Sequence, residues 1–379
     1  MHIGNSLVKE TNTVWYQNSD YSHSSLSVLI VALISAVLLA ILTYETYEKW
    51  YLKLSSTSIG VIVVILFLLN VNSINKYKLT ERNFASFDNI TNDMTVEDIV
   101  RMNHRWTVND PKNIFAPSCV YESGNGPLGW CRHTGLNETG KYKMAMIGNS
   151  WTANHAKVFY QECGNKAKSI LQGSAIGCEP LYPSEQIEMC KSFFTEFEKR
   201  IREEKPDYAF IVTRYISIGE PFAKGVTSFE NDPIYQTMKE QMFKFISNIK
   251  YKLYILDSIP RIFYNGITSL PALLEKKTDP ASIDVRMSPA ISSNESYFQK
   301  MLILPHQYEM ARKRHAQLLK DCGEKCEMID YAPVFLNKTT NTFRYYDERG
   351  LSYYTKYLHL TPLGIEHIRH VWTDVCAKL

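Results

Sequence analysis

At 379 residues, with 45% apolar and 12% aromatic content, the chain holds enough material for one large domain or two ordinary ones, which excludes a disordered polypeptide. The formal charge of +3 comes without any long block of basic residues that could follow a phosphate backbone. No nucleic-acid partner is therefore expected.

A polar lead of residues 1–25 comes first. Leu26 to Leu42 (LSVLIVALISAVLLAIL) then carries no charge, and neither does the stretch from Leu54 to Asn75 around VIVVILFLLN. Each is long enough for the roughly 30 Å hydrocarbon core of a bilayer, so two transmembrane helices are expected, at about 26–43 and 56–74. The lead lacks a compact basic region and a small-residue cleavage pattern before Tyr44, which argues against a signal peptide. The strongest part of the second run is short, and a buried core helix also fits it.

Two spans would put residues 1–25 and everything beyond Asn75 on the same side. Lys49 and Lys53 in the linking loop balance Lys76, Lys78 and Arg82 beyond it, so basic residues do not fix the side. The region beyond the spans carries four glycosylation sequons, at Asn89, Asn137, Asn294 and Asn337, and all eight cysteines. These favour a luminal or extracellular, disulfide-containing domain on the secretory route or at the plasma membrane. Proximity in sequence makes Cys119–Cys131 and Cys322–Cys326 the first candidate pairs.

Residues 76–140 read as polar and irregular, with pieces such as NDPKN and YESGNGPLGW, and are expected to form a connector packed on the following domain. Its Gly124-x-Gly126-x-x-Gly129 follows no expected strand and precedes no helix, which argues a turn rather than a nucleotide loop. From Lys141 onward apolar strands (KYKMAMI, KSILQGS, DYAFIVTRY, KLYILDS, CEMIDYA) alternate with helices expected at 151–161, 189–204, 236–249, 296–320 and from Pro362. This pattern argues an α/β domain over 141–379, with a parallel sheet covered on both faces.

The first strand runs into Gly148-Asn149-Ser150 and then a helix. Ser150 would be an N-cap in the bland reading. In the functional one it is a nucleophile at a strand end, where free N–H groups converge. His359, in the turn before Pro362, can reach the same mouth of the sheet and act as base. Two other groupings carry less. Cys322-x-x-x-Cys326 has no second ligand couple, and His367, His370 and Cys376 share a helix without metal geometry being implied.

Gly148-Asn149-Ser150 resembles block I of the SGNH (GDSL-like) hydrolase superfamily, and His359-Leu360-Thr361 with Gly364 resembles its last block, Asp-x-x-His-Leu-(Ser/Thr)-x-x-Gly. From Leu26 to Leu379 the chain is similar to the C-terminal part of animal membrane O-acyltransferases of the acyltransferase-three type. Those proteins end in transmembrane helices followed by a luminal SGNH domain. TYETYEKWYLKL resembles the end of their penultimate span, and IGCEPLYP and FIVTRYISIG resemble their second and third blocks. The resemblance implies a three-layer, flavodoxin-like fold, with Ser150 as nucleophile and His359 as base. It also implies an oxyanion site built from the Ser150 N–H and a donor between Gly173 and Gly177, lined by Asn149, Arg214 and Tyr215, without metal or cofactor.

Two positions depart from the family pattern. Asn149 replaces the Asp of Gly-Asp-Ser, and Lys356 stands where the His-orienting Asp belongs. Another carboxylate, Asp347 or Glu348, could take its place; a Ser–His dyad or a catalytically dead site is the other arrangement left open. The larger bundle of spans that handles the acyl donor in such relatives, acyl-CoA for example, has no counterpart in this chain. The expected activity is transfer or removal of an O-acyl group, acetyl above all, on carbohydrate or lipid hydroxyls at a membrane. The alternative is a dead domain that binds a glycan or an acyltransferase partner.

Overall fold

The computed structural model describes residues 26–83, 90–91, 93–123, 126–184, 188–260, 266–278, 282–283, 305–339, 341–356 and 359–379. The chain divides into two compact units, Met1–Ala85 and Ser86–Leu379. In the first, helix α1 (Leu26–Thr43) and helix α2 (Ser56–Asn83) form where the two apolar runs lie. Among the described residues, no helix is long and apolar enough to cross a membrane.

The second unit begins with two helices. Helix α3 (Val96–Val108) opens on a capping box: Thr95 Oγ1 accepts from the Asp98 N–H, and the Asp98 carboxylate accepts from the Thr95 N–H. Two of the free N–H donors at the helix start are thus satisfied. Ile99, Met102 and Trp106 form its buried stripe. A short helix α4 (Asp110–Asn113) follows, and then an antiparallel hairpin of β1 (Cys119–Tyr121) and β2 (Gly129–His133). Part of the segment expected as an irregular connector thus forms regular elements, two helices and a hairpin whose second strand pairs with β4 of the sheet.

Five parallel strands make the centre: β3 (Tyr142–Gly148), β4 (Ala167–Ser174), β5 (Tyr208–Ile211), β6 (Lys252–Leu256) and β7 (Cys326–Ile329). The full order is β1-β2-β4-β3-β5-β6-β7. Within the parallel part this is the doubly wound 2-1-3-4-5 order of flavodoxin-like folds. Period-two alternation divides each strand between two cores, since both faces are covered. Met144, Met146, Phe210, Tyr254 and Leu256 pack with α5 (Ser150–Cys163) and α10 (Pro362–Ala377). Ala145, Ile147, Ala209, Ile211 and Leu253 face the layer of α6 (Cys190–Glu204), α7 (Pro233–Ile246) and α9 (Pro305–Cys322). The helix α8 (Gly266–Glu275) packs against α3. The helix expected to start at residue 296 is described only from Pro305.

All eight cysteines are paired. Cys119–Cys131 and Cys322–Cys326 join the near neighbours; Cys163–Cys376 and Cys178–Cys190 complete the set. Asn137 is exposed, with its Oδ1 accepting from the N–H and Oγ1 of Thr139; Asn337 makes a similar turn with Thr339. The sequons at Asn89 and Asn294 lie outside the described residues.

Candidate active site

The neighbours of β3 arise in opposite directions: the chain passes through α5 to β4 on one side and reaches β5 on the other. The crevice at the carboxyl end of β3 is thus the switch point of the sheet. Gly148 closes the strand there. A Cβ on it would lie 2.3 Å from the Val212 carbonyl oxygen and 2.6 Å from Thr152 Oγ1. Only glycine lets the nucleophile corner approach the end of β5 this closely. The Ala175 N–H bonds the Gly148 oxygen and the Val212 N–H bonds the Ile147 oxygen, which ties the corner to both flanking strands.

Asn149 is buried and caps α5, its Oδ1 accepting from the Trp151 N–H. The same oxygen accepts from the Arg214 N–H at 3.1 Å, and Nδ2 donates to the Arg214 oxygen at 2.7 Å. The side chain thus pairs with the backbone of the loop after β5 as a neighbouring strand would. An aspartate offers only acceptors, and one of these two contacts requires a donor. Asparagine at this position therefore acts as a splint rather than as a lost charge.

Ser150, half-buried, is the first residue of α5, where helix geometry leaves its N–H without an intrahelical acceptor. His359 Nε2 lies 2.8 Å from Ser150 Oγ. On the opposite side of the ring, Nδ1 lies 2.6 Å from Asp110 Oδ2, with Asp110 buried at the start of α4. Ser150 Oγ, the His359 imidazole and the Asp110 carboxylate thus form a continuous hydrogen-bonded relay, an arrangement that can serve nucleophile, base and orienting acid.

Asp347 is engaged elsewhere. Its carboxylate holds the Arg349 guanidinium and accepts the N–H groups of Arg349 and Leu351, which closes its own turn. Glu348 is exposed. Neither carboxylate touches His359. Lys356 donates its backbone N–H to Thr107 Oγ1, so the position three residues before the histidine is bound to α3.

The described residues of the histidine loop are held at several points by α3 and α4. Asn103 bonds the Gly350 oxygen and the Ser352 N–H, Thr107 the Lys356 N–H, Asp110 the imidazole, and Asn113 the Leu360 oxygen at 2.6 Å. From the other side Asn154 of α5 brackets Leu360 through both its N–H and its oxygen. The spacing of these side chains along α3–α4 is that of one helical stripe, a signal present in the sequence from Val96 onward.

The remaining expected site residues are distributed unevenly. Gly173 sits inside β4 under the Trp130 ring, where a Cβ would lie 2.4 Å from the ring, so it is a packing glycine in the ladder. Gly177, at φ +65°, is the left-handed corner of the next loop. Tyr215 is buried with its ring 4.4 Å from that of His315, and burial pushes its hydroxyl well above the usual phenol range. Arg214 is half-buried at the end of β5, beside the splinted corner; burial pulls its guanidinium down to about 10, against the opposing field of Glu179. Glu179 takes the Ile216 and Ser217 N–H groups on one oxygen and so joins the loops after β4 and β5.

His367 stacks on Tyr353 with ring centroids 4.2 Å apart, and Cys376 is disulfide-bonded, which makes both core groups. Cys119, Cys131 and His133 cluster as metal ligands would. Here the thiols form a disulfide, and the imidazole bridges Ser118 and Gln172.

Residues 118–374 match the model of the SGNH domain (fused to AT3 domains). No curated protein shows significant similarity to the chain. Among solved structures, a GDSL-like lipase from Bacteroides thetaiotaomicron aligns with 62% of this chain and 87% of its own, at 13% identity and a TM-score of 0.35. A putative platelet activating factor from Streptococcus pneumonia aligns with 73% of this chain and 97% of its own, at 12% identity and the same TM-score.

Proposed function

We propose that this chain, which belongs to the SGNH-domain family of the kind fused to AT3 domains, is an O-acyl esterase or acyltransferase working through an acyl-enzyme on Ser150. The observation that carries the reading is the Asp110–His359–Ser150 relay at the switch point of the sheet. On attack at an ester carbonyl, Ser150 Oγ forms the new C–O bond and its proton passes to His359 Nε2. Asp110 holds Nδ1–H and stabilises the resulting imidazolium. The first-turn N–H of Ser150 faces the developing oxyanion. Collapse of the tetrahedral species breaks the ester C–O bond, and His359 returns the proton to the leaving alkoxide. An acceptor hydroxyl or water then repeats the sequence in reverse and frees Ser150.

The acyl group in this reading is acetyl, and the acceptor is a carbohydrate or lipid hydroxyl. The acyl donor, acyl-CoA in the first instance, would come through a separate membrane acyltransferase. Anchoring to a membrane of the secretory route, with the domain luminal or extracellular, belongs to the same proposal. Ile34, Leu38, Leu39 and Leu42 on α1 and Val63, Phe67 and Leu68 on α2 are all more than half exposed. Such an apolar surface is relieved by lipid or by a partner protein. The disulfides suit an oxidising compartment.

The dead-domain alternative rested on two substitutions, at Asn149 and Lys356. Asn149 has a structural duty of its own, and Asp110 supplies the carboxylate. The direct test is fluorophosphonate labelling of the full chain in detergent, for wild type and the Ser150→Ala and His359→Ala variants. Labelling lost in both variants supports the reading. A folded wild-type protein that does not label rejects it and leaves a binding domain.

A further inference from the structure

Among the sequons, Asn137-Glu138-Thr139 is distinguished by its surroundings. It lies in the loop from β2 to β3, and that loop is tied down on both sides of it. The Tyr160 hydroxyl of α5 donates toward the Thr134 and Gly135 oxygens at 2.9 and 2.8 Å, and the Lys141 N–H donates to the Lys166 oxygen at 2.9 Å. Between these anchors the chain turns on itself. The Gly140 N–H bonds the Asn137 backbone oxygen, while Asn137 Oδ1 accepts from the Thr139 N–H at 3.0 Å and from Thr139 Oγ1 at 2.9 Å. The result is an Asx turn set inside a β-turn, with Asn137, Glu138 and Thr139 all exposed. Both side-chain hydrogen bonds fall on the amide oxygen, and Nδ2 makes none with any described residue. Asn337 differs: it is only half-buried rather than exposed, and its backbone is engaged in a short strand pair, opposite Thr342.

We infer that Asn137 is a modification site and carries an N-linked oligosaccharide. The inference rests on the luminal or extracellular placement proposed above and is independent of the chemistry at Ser150. In the transfer, Asn137 Nδ2 forms a bond to the anomeric carbon of an oligosaccharide carried on a polyprenyl diphosphate. The bond from that carbon to the diphosphate oxygen breaks, the diphosphate leaves with its electron pair, and one Nδ2 proton is lost to solvent. The turn leaves the nitrogen that must react turned to no other partner, and its exposure gives the bulky product room in the folded protein. The four disulfides call for the same oxidising compartment in which such transfer takes place. The position is also compatible with an open active site. The loop feeds the amino end of β3, whereas Ser150 follows its carboxyl end, and the 7 residues of that strand span roughly 20 Å. A glycan on Asn137 thus stands at the opposite end of the sheet from the crevice.

The test uses the full chain produced in insect cells, with a reporter sequon on a flexible linker appended after Leu379. N-glycans are released in heavy-oxygen water by an amidase that turns each modified asparagine into isotopically marked aspartate, and the peptides are read by mass spectrometry. The peptide holding residue 137 is expected to carry the mark. On a gel, Asn137→Gln and Thr139→Ala should each migrate one glycan lower than wild type, and Thr139→Ser, which keeps the hydroxyl, should retain the glycan on at least part of the molecules. A marked reporter beside an unmarked residue 137 overturns the inference and leaves the luminal placement standing. If neither is marked, the inference falls together with that placement, while fluorophosphonate labelling still decides the acyl-transfer chemistry separately.

Discussion

Asp110 Oδ2 lies 2.6 Å from His359 Nδ1, although 249 residues separate the two in sequence. The acid belongs to the segment leading from the helical unit into the domain, while the base belongs to its last turn before α10. Replacing Asp110 by Asn removes the acceptor that fixes the imidazole tautomer, and kcat on an acetyl ester should fall by about 10³–10⁴ with the fold intact. Asp347→Asn should lower the melting temperature through the lost Arg349 pair and change kcat by less than about threefold. Reversed outcomes would return the orienting role to Asp347.

The splint formed by Asn149 is equally specific. In Asn149→Asp the atom that donated to the Arg214 oxygen becomes a carboxylate oxygen facing a carbonyl, at a buried position. The change should cost about 1–3 kcal/mol and loosen the nucleophile corner. Protonating the new carboxyl restores a donor, so the deficit against wild type should shrink as the pH falls toward 4. A deficit that grows instead over that range, measured by denaturant unfolding of both proteins, would show that the side chain is not used as a donor here.

Cys163 and Cys376 join the end of the nucleophile helix to the end of α10, across 213 residues. The bridge therefore ties together the two helices that flank Ser150 and His359. Losing a native bridge of this reach typically costs about 2–5 kcal/mol. The Cys163→Ala/Cys376→Ala protein should melt well below wild type and lose ester turnover at a lower temperature. A melting point unchanged within a degree or two would mean that the packing of Phe159 and Trp372 alone holds these helices together.

The parallel core was legible because five apolar strands alternate with amphipathic helices, and each strand's alternation is local. The approach of Ser150 and His359 was legible for a similar reason, each standing at a boundary between elements with its signature within a few residues. Asp110 was not. Its role exists only through a contact made across the whole domain, and Asp-Pro-Lys-Asn alone reads as an ordinary helix start. In sequence the stripe Asn103, Thr107, Asp110, Asn113 reads as a solvated face, as polar residues at helical spacing usually are, whereas here it meets the backbone of the histidine loop and, through Asp110, the imidazole. Asn149 misled in the other direction. In sequence its amide reads as a missing charge, whereas in the fold it meets both backbone groups of Arg214.

Two buried histidines set the acid limit of the fold. His155 packs between Trp151 and Tyr331, with Nδ1–H donating to the Trp151 oxygen and Nε2 buried without a partner; burial pulls it down to about 4. His133, held between Ser118 and Gln172, is pulled down to about 4 by the same cause. In the unfolded chain both should titrate near 6.5. Between about pH 6.5 and 4 the unfolded state thus binds more protons than the folded one, so stability is full above that window and falls with pH inside it. At pH 5 the loss should be about 2 kcal/mol for each histidine. Chemical denaturation at pH 7.5 and pH 5 measures it directly, and His133→Gln, which keeps hydrogen-bonding groups but does not titrate, should lose less across that interval than wild type. Equal losses in the two proteins would mean that His133 binds its proton alike in the folded and unfolded chains and that the acid sensitivity originates elsewhere.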